Sequence, residues 1–255
     1  MKYCIFCKND DFSLEIKDKL FKSIKLEYSE ETPDIVVVVG GDGTLINASH
    51  KHPKAIIFGL HTGHLGFYAN YTVADIEVMI DDINNGNYQI DEIDALCCEV
   101  RSDSDDILSF ALNEMTIIMP PHTLILDVFI DDEKLETFRG TGLCISTAYG
   151  STAYNKSLHG AVVDPAIKTI QITEIAGLNS NAYRTLSSSF VLAKERVITL
   201  KSIDNVDVYV TIDNLSYNLH NFKSAKITLK EKSLKLGYHN KTSHLERIKR
   251  TFLCE

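Results

Sequence analysis

Asp34-Ile35-Val36-Val37-Val38-Val39 runs directly into Gly40-Gly41-Asp42-Gly43-Thr44, and that junction decides the fold class. An unbroken β-branched run suits a strand covered on both faces, the hallmark of a parallel sheet. Three glycines immediately after it let the backbone turn sharply and approach a ligand closely. Successive N–H groups there, with a helix N-terminus behind them, make an anion site. Open α/β sheets bind ligands beyond the carboxyl ends of their strands, where this loop falls. An aspartate in such a loop, Asp42, has two uses: accepting a proton from an attacking hydroxyl, or helping to place a magnesium ion. Spacing alone leaves a plain tight turn capped by Asp42 as the alternative.

Outward from this loop the first third alternates strands and helices. Residues 2–7 read as a strand. Residues 10–21 read as a helix with Phe12, Ile16 and Leu20 on one face. Residues 45–50 start a second helix and residues 55–60 form another buried strand. Residues 73–84 form a helix with Val73, Ile76, Met79, Ile80 and Ile83 as its apolar positions. This rhythm predicts a doubly wound α/β domain. After about residue 94 the pattern becomes strand after strand: 96–101, 109–119, 124–130, 134–139, 144–147, 169–174, 196–201, 206–212, 225–230 and 233–236. Asp131-Asp132-Glu133 reads as a hairpin turn. The expected organisation is an α/β domain over 1–94, a β-rich, sandwich-like domain over 95–237, and a tail over 238–255 that packs back. The Lys and Arg of that tail read as a solvated face.

The 255 residues carry a net charge of −9. That balance argues against nucleic acid as a partner, because phosphate backbones need basic patches. It leaves nucleotide substrates open, since a metal ion and a few local donors can hold polyphosphates. With no apolar run of about 18 residues, a membrane span is not expected. The apolar start ends at Lys8-Asn9-Asp10-Asp11, too early for a signal peptide, so a cytoplasmic protein is expected. Cys4, Cys7, Cys97, Cys98, Cys144 and Cys254 have no framework spacing and read as reduced, buried thiols.

Three further clusters carry chemistry. His61-Thr62-Gly63-His64-Leu65-Gly66-Phe67-Tyr68 follows a strand. Its glycines favour a loop that lends backbone and aromatic surface, Phe67 included, over a metal site built on His61 and His64. Asn113-Glu114 sits in an otherwise apolar run: a carboxylate suits a ribose diol, and an amide both donates and accepts. The alternative is an exposed edge or a bulge. The longest cluster runs from Arg139 to Ala161 and mixes glycines and small hydroxyl residues with tyrosines. It offers hydrogen bonds to a base edge and a ring to stack on it. Neither G-x-x-x-x-G-K-[ST] nor G-x-G-x-x-G occurs, so dinucleotide binding must be of another kind.

Taken together, GGDGT (40–44), HTGHLGFY (61–68), LNEMTI (112–117), FRGTGLCIST (138–147) and GSTAYNKSLHGA (150–161) resemble the NAD kinase family in order and spacing. The resemblance covers almost the whole chain. It implies transfer of a phosphoryl group from ATP, or from inorganic polyphosphate, to the 2′-hydroxyl of the adenosine ribose of NAD. By resemblance Asp42 is the general base, and Gly40, Gly41, Gly43 and Thr44 form the phosphate-donor loop. NAD contacts are implied for Asp42, Gly43, Phe67, Asn113, Glu114, Arg139, Thr141, Tyr149, Thr152, Ala153, Tyr154, Asn155, Lys156, Ser157 and Ala176. The family also implies a divalent metal such as magnesium, fixed by no protein site alone, and a homodimer or homotetramer. This chain departs from the family pattern at Thr141, Tyr149 and Asn214, all toward the dinucleotide end. Two alternatives follow: a dinucleotide-sensing relative of the kinase, and a lipid-type kinase that shares only the GGDGT loop.

Overall fold

The computed structural model of the chain describes residues 1–63 and 66–253. The chain divides into two compact units, Met1–Ile93 with Lys232–Glu255, and Asp94–Glu231.

The first unit is built on strands β1 (Lys2–Cys7), β2 (Glu27–Tyr28), β3 (Ile35–Val39), β4 (Ile56–His61) and β5 (Tyr71–Thr72). All their pairings are parallel, with β3 between β1 and β4. Each residue of Ile35–Val39 is buried, so both faces of β3 are covered, as the β-branched run requires. Each such side chain contributes roughly 1.5–3 kcal/mol by leaving water. Helix α1 (Asp11–Ser23) and helix α3 (Ile76–Asn85) supply Ile16, Leu20, Ile76, Met79, Ile80 and Ile83 to one core. Helix α2 (Asp42–Lys51) starts at the aspartate of the glycine loop. The chain's last strand, Phe222–Tyr238, lays Lys235 and Leu236 parallel to Ile56 and Ile57.

The second unit is a sandwich of two antiparallel sheets sharing one apolar core. Its strands are β6 (Gln89–Ser102, which enters from the first unit), β7 (Asp106–Ala111), β8 (Glu114–Ile118), β9 (Leu124–Ile130), β10 (Glu133–Gly140), β11 (Gly142–Thr147), β12 (Thr169–Ile175), β13 (Phe190–Ala193), β14 (Ile198–Ser202), β15 (Val208–Ile212), β16 (Leu215–Leu219) and β17 (Phe222–Tyr238). One sheet has the order β13-β12-β11-β8-β15-β16. The other runs β10-β9-β14-β17, with β6 beside β17 and β7 beside β6. The β9–β10 turn is Asp131-Asp132, both at positive φ, the geometry a two-residue hairpin needs.

Several local expectations are corrected. On α1, Ser13 rather than Phe12 completes the buried stripe with Ile16 and Leu20, because Asp10 caps the helix by accepting from the Ser13 amide. Phe12, rotated off that stripe, is half-exposed. Residues Val73–Asp75 form a 3-10 turn ahead of α3, and Val73 is exposed. The run 109–119 is two strands in different sheets, β7 and β8, with a bend at Leu112-Asn113. The two strands expected near 225–230 and 233–236 are one, β17. In the tail, the helix His244–Ile248 exposes Leu245 and buries Arg247, so the solvated basic face holds at Lys249 and Arg250 but not at Arg247. Cys4, Cys98 and Cys144 are buried free thiols, whereas Cys7 and Cys97 are only partly covered. Cys254 lies outside the described residues.

Candidate functional site

Asp42 opens α2, with Gly41 as N-cap. Its carboxylate accepts the Phe67 amide at 2.6 Å and the Tyr68 amide at 3.2 Å. The loop after β4 therefore folds onto the glycine loop and orients its acid. Gly66 is required for this approach: a Cβ there would lie 2.3 Å from Asp42 Oδ1. A cavity of about 430 Å³ opens beside the loop, lined by Lys8, Asp10, Phe12, Gly41, Gly43, Thr44, Thr62 and Gly63. Gly40 sits under Thr44, whose Oγ1 would be 2.7 Å from an added Cβ. His61 Nδ1 lies 3.1 Å from the Gly63 carbonyl. The disfavoured alternative, a metal shared by His61 and His64, involves His64, which with Leu65 lies outside the described residues.

In the second unit, Asn113 lies in the bend between β7 and β8, and Glu114 is the first residue of β8. What holds the bend is Asp213, at φ +50 in the two-residue turn between β15 and β16. Its carboxylate accepts the amides of Leu112 at 2.8 Å, Asn113 at 2.8 Å and Glu114 at 3.3 Å. From the other side, Thr147 Oγ1 donates to the Leu112 carbonyl at 2.6 Å and accepts the Gly150 amide at 2.9 Å. Gly150 passes so close that an added Cβ would meet the Asn113 carbonyl oxygen. Burial, and then the Asp213 carboxylate, push the Glu114 carboxyl up to about 8, against a smaller opposing pull from the Tyr154 backbone amide. Glu114 therefore carries its proton at neutral pH and presents a donor as well as an acceptor.

Thr152 closes a 3-10 turn (Gly150–Thr152), and Tyr154, Asn155, Lys156 and Ser157 form a single helical turn, with Ala153 at its N-cap. Tyr154, Lys156 and Ser157 are exposed, whereas Thr152 and Asn155 are buried. Asn155 Oδ1 accepts from Thr173 at 2.7 Å, and its buried Nδ2 meets no partner among the described residues. A second group surrounds the β10–β11 junction. The Arg139 carbonyl accepts the Leu178 amide, and the Thr141 amide donates to the Ile175 carbonyl. The Arg139 guanidinium stacks 4.3 Å from the Tyr183 ring centre. Ala176, exposed, holds a left-handed φ of +47, a conformation that costs a non-glycine residue on the order of 1 kcal/mol. Tyr149 is half-buried and immediately precedes Gly150. Among the described residues, no three His, Cys, Asp or Glu side chains converge as a metal site.

Family models match both parts of the chain: the ATP-NAD kinase N-terminal domain over residues 17–88 and the C-terminal domain over residues 112–227. An NAD kinase of Geobacillus stearothermophilus is 36% identical over 262 aligned residues, covering 99% of this chain and 97% of that protein. The chain belongs to the NAD kinase family. It is therefore a phosphotransferase by descent, with the family's α/β and β-rich parts. The fold likeness extends to yeast NADH kinase, crystallised with NADH, at a TM-score of 0.81 and 19% identity over 98% of this chain and 87% of that one. It extends also to an NAD kinase from Archaeoglobus fulgidus in complex with ATP, at 0.74 and 19% identity over 100% and 98%. The family match spans both units, so it reaches well beyond the GGDGT loop on which a lipid-type kinase reading rested.

Two organising residues escaped the sequence reading. Gly66 is visible in the motif, but its purpose, clearance for Asp42, depends on a fold-back between two loops. Asp213 lies a hundred positions from the amides it binds. Its one local signal is the pair Asp213-Asn214 between two short strands, a turn signature that is silent about its partner.

Proposed function

We propose that the protein transfers the γ-phosphoryl group of ATP, or a terminal phosphoryl of inorganic polyphosphate, to the 2′-hydroxyl of the adenosine ribose of NAD. The observation that carries this reading is the amide-held Asp42 carboxylate at the head of α2, beside a cavity lined by its own glycine loop. In the proposed step the 2′-oxygen bonds to the γ-phosphorus as the bridging P–O bond breaks and ADP leaves with the electron pair. The hydroxyl proton passes to Asp42. Such a base accelerates the step by about 10²–10⁴-fold. The larger share comes from alignment and charge neutralisation.

For the donor we assign Gly40, Gly41, Gly43 and Thr44, whose backbone and hydroxyl groups suit phosphate oxygens. For the acceptor we assign Asp42, Gly43 and Phe67 in the first unit. In the second we assign Asn113 and Glu114 to the ribose and diphosphate, and Thr152, Ala153, Tyr154, Asn155, Lys156 and Ser157 to the adenine end. Arg139, Thr141, Tyr149 and Ala176 would meet the rest of the dinucleotide. A neutral Glu114 and an amide suit a diol, because each can donate and accept. Asp42 and Asp10 are hard oxygen donors of the kind magnesium takes, and Asp10 lines the same cavity. Magnesium bound with the donor would supply the positive charge this acidic chain lacks. No helix among the described residues is long and apolar enough to cross a membrane. We assign the enzyme to the cytoplasm as a homodimer or homotetramer, which light scattering on the purified chain tests.

A coupled assay tests the reaction: purified protein receives NAD, magnesium and either ATP or polyphosphate, and an NADP-specific dehydrogenase reports product. NADP formation with one donor is the expected result, and no product with either sinks the assignment. Saturable NAD binding without turnover would point instead to the sensing relative suggested by Thr141 and Tyr149.

A further inference from the structure

Arg247 is a basic residue of the C-terminal segment, yet it is only 4% exposed. An arginine is seldom buried so fully unless its donors are satisfied. Here they are: Nε donates to the Thr242 carbonyl at 3.5 Å, and the two terminal nitrogens are taken up by one other stretch of chain. Nη1 donates to the Gly66 carbonyl at 2.6 Å and to the Ala69 carbonyl at 2.7 Å, and Nη2 donates to Asn70 Oδ1 at 2.6 Å. The two carbonyls bracket Phe67 and Tyr68, whose amides are the donors to the Asp42 carboxylate. One planar guanidinium thus fixes the outside of a turn whose inside faces Asp42. The same segment grips that turn a second time: the Phe67 ring packs against His244 at 5.7 Å and against Phe252 at 5.8 Å between centroids. The helix carrying Arg247 is itself capped, with Ser243 Oγ accepting the Glu246 amide.

We propose that Arg247 is a positioning residue for phosphoryl transfer: by holding the carbonyls of Gly66 and Ala69, it keeps the Phe67 and Tyr68 amides on Asp42. This rests on the reading of Asp42 as the base. A lysine would keep the charge but lose the fork that reaches three acceptors at once. Displacing a reacting group by about an ångström from a distance is enough to cost about 10²-fold in rate. The C-terminal segment therefore acts on the catalytic loop through Arg247, by way of the backbone it holds.

The test is a double-mutant cycle on the full chain, assayed for NADP formation from NAD, ATP and magnesium. Arg247→Lys is expected to lower kcat by about tenfold or more while KM for ATP stays within about twofold. In the Asp42→Asn background the same substitution is expected to change kcat by less than about twofold, because the group it positions is already gone. An equal loss in both backgrounds, or a wild-type kcat for Arg247→Lys, overturns the proposal. Should Arg247→Lys fold poorly, Asn70→Ala removes one acceptor of the same fork, and it must show the same dependence on Asp42. Failure of the underlying reading looks different: Asp42→Asn alone would then keep the wild-type rate.

Discussion

Both units place an aspartate against consecutive backbone amides, but the division of labour is opposite. In the first unit the aspartate is what the loop presents. Asp42 receives the Phe67 and Tyr68 amides and stays half-buried at a glycine turn. In the second unit the aspartate does the presenting. Asp213, at a hairpin tip, takes the Leu112, Asn113 and Glu114 amides and so shapes the bend that displays Asn113 and Glu114. The lesson is that one hydrogen-bond pattern can orient a reacting acid or build a platform for other groups. Substitution should therefore injure chemistry in one unit and stability in the other.

The largest effect expected is at Asp42. Asp42→Asn removes the base and turns an amide NH₂ toward one of two N–H donors, so kcat should fall by about 10²–10⁴-fold. The fold should persist, which circular dichroism of the variant checks alongside the coupled assay. A wild-type kcat would break the comparison at its first member. Gly66→Ala comes next. Its Cβ would stand 2.3 Å from the carboxylate it must clear, and a shift of Asp42 of that order costs about 10²-fold in kcat. A full-rate Gly66→Ala enzyme would show that the orientation of Asp42 is not critical.

Much of this contrast was legible in the sequence, and the rest was hidden for definable reasons. The run Ile35–Val39 announced a doubly covered strand because side-chain chemistry reports burial directly. The glycine loop, the Asn-Glu pair and the small-residue stretch announced themselves by composition. Asp213 did not, because its role depends on two hairpins meeting across a sheet. Arg247 was misread because periodicity and charge say whether a residue prefers water, not whether three carbonyl-type acceptors await it in the interior. Residues 109–119 looked like one strand because the apolar pattern continues through a bend that the distant Asp213 and Thr147 hold.

Asp213 itself tests the platform half of the comparison. Asp213→Ala strands three amides that now end on one carboxylate, and hydrogen bonds to charged acceptors are worth about 1.5–3 kcal/mol apiece before relaxation. Because water can replace part of that, a net loss of about 2–3 kcal/mol is expected in urea unfolding. A loss below about 0.5 kcal/mol would mean that strand pairing, not Asp213, holds the bend.

The smallest effect sharpens the comparison most, because it separates a displayed acid from a displayed neutral group. The Glu114 carboxyl, pushed up to about 8 by burial first and Asp213 second, is protonated at neutral pH in the folded protein but ionised once unfolded. A raised carboxylate pKa favours the fold fully below the unfolded value near 4.5, and that contribution is lost as pH rises through about 8. Glu114→Gln keeps the shape and a neutral donor at every pH. Near neutrality, where the folded carboxyl is still protonated, the variant should turn over much like the wild type. From about 4.5 up to about 8 the wild type should lose melting temperature progressively relative to the variant and then level off, whereas its NAD affinity should fall relative to the variant only past about 8. The difference between the two proteins, measured by calorimetry across that range, isolates Glu114 from every other titrating group. A difference that stays flat with pH would mean Glu114 is ionised in the bend, and that the platform, like Asp42, displays a charge.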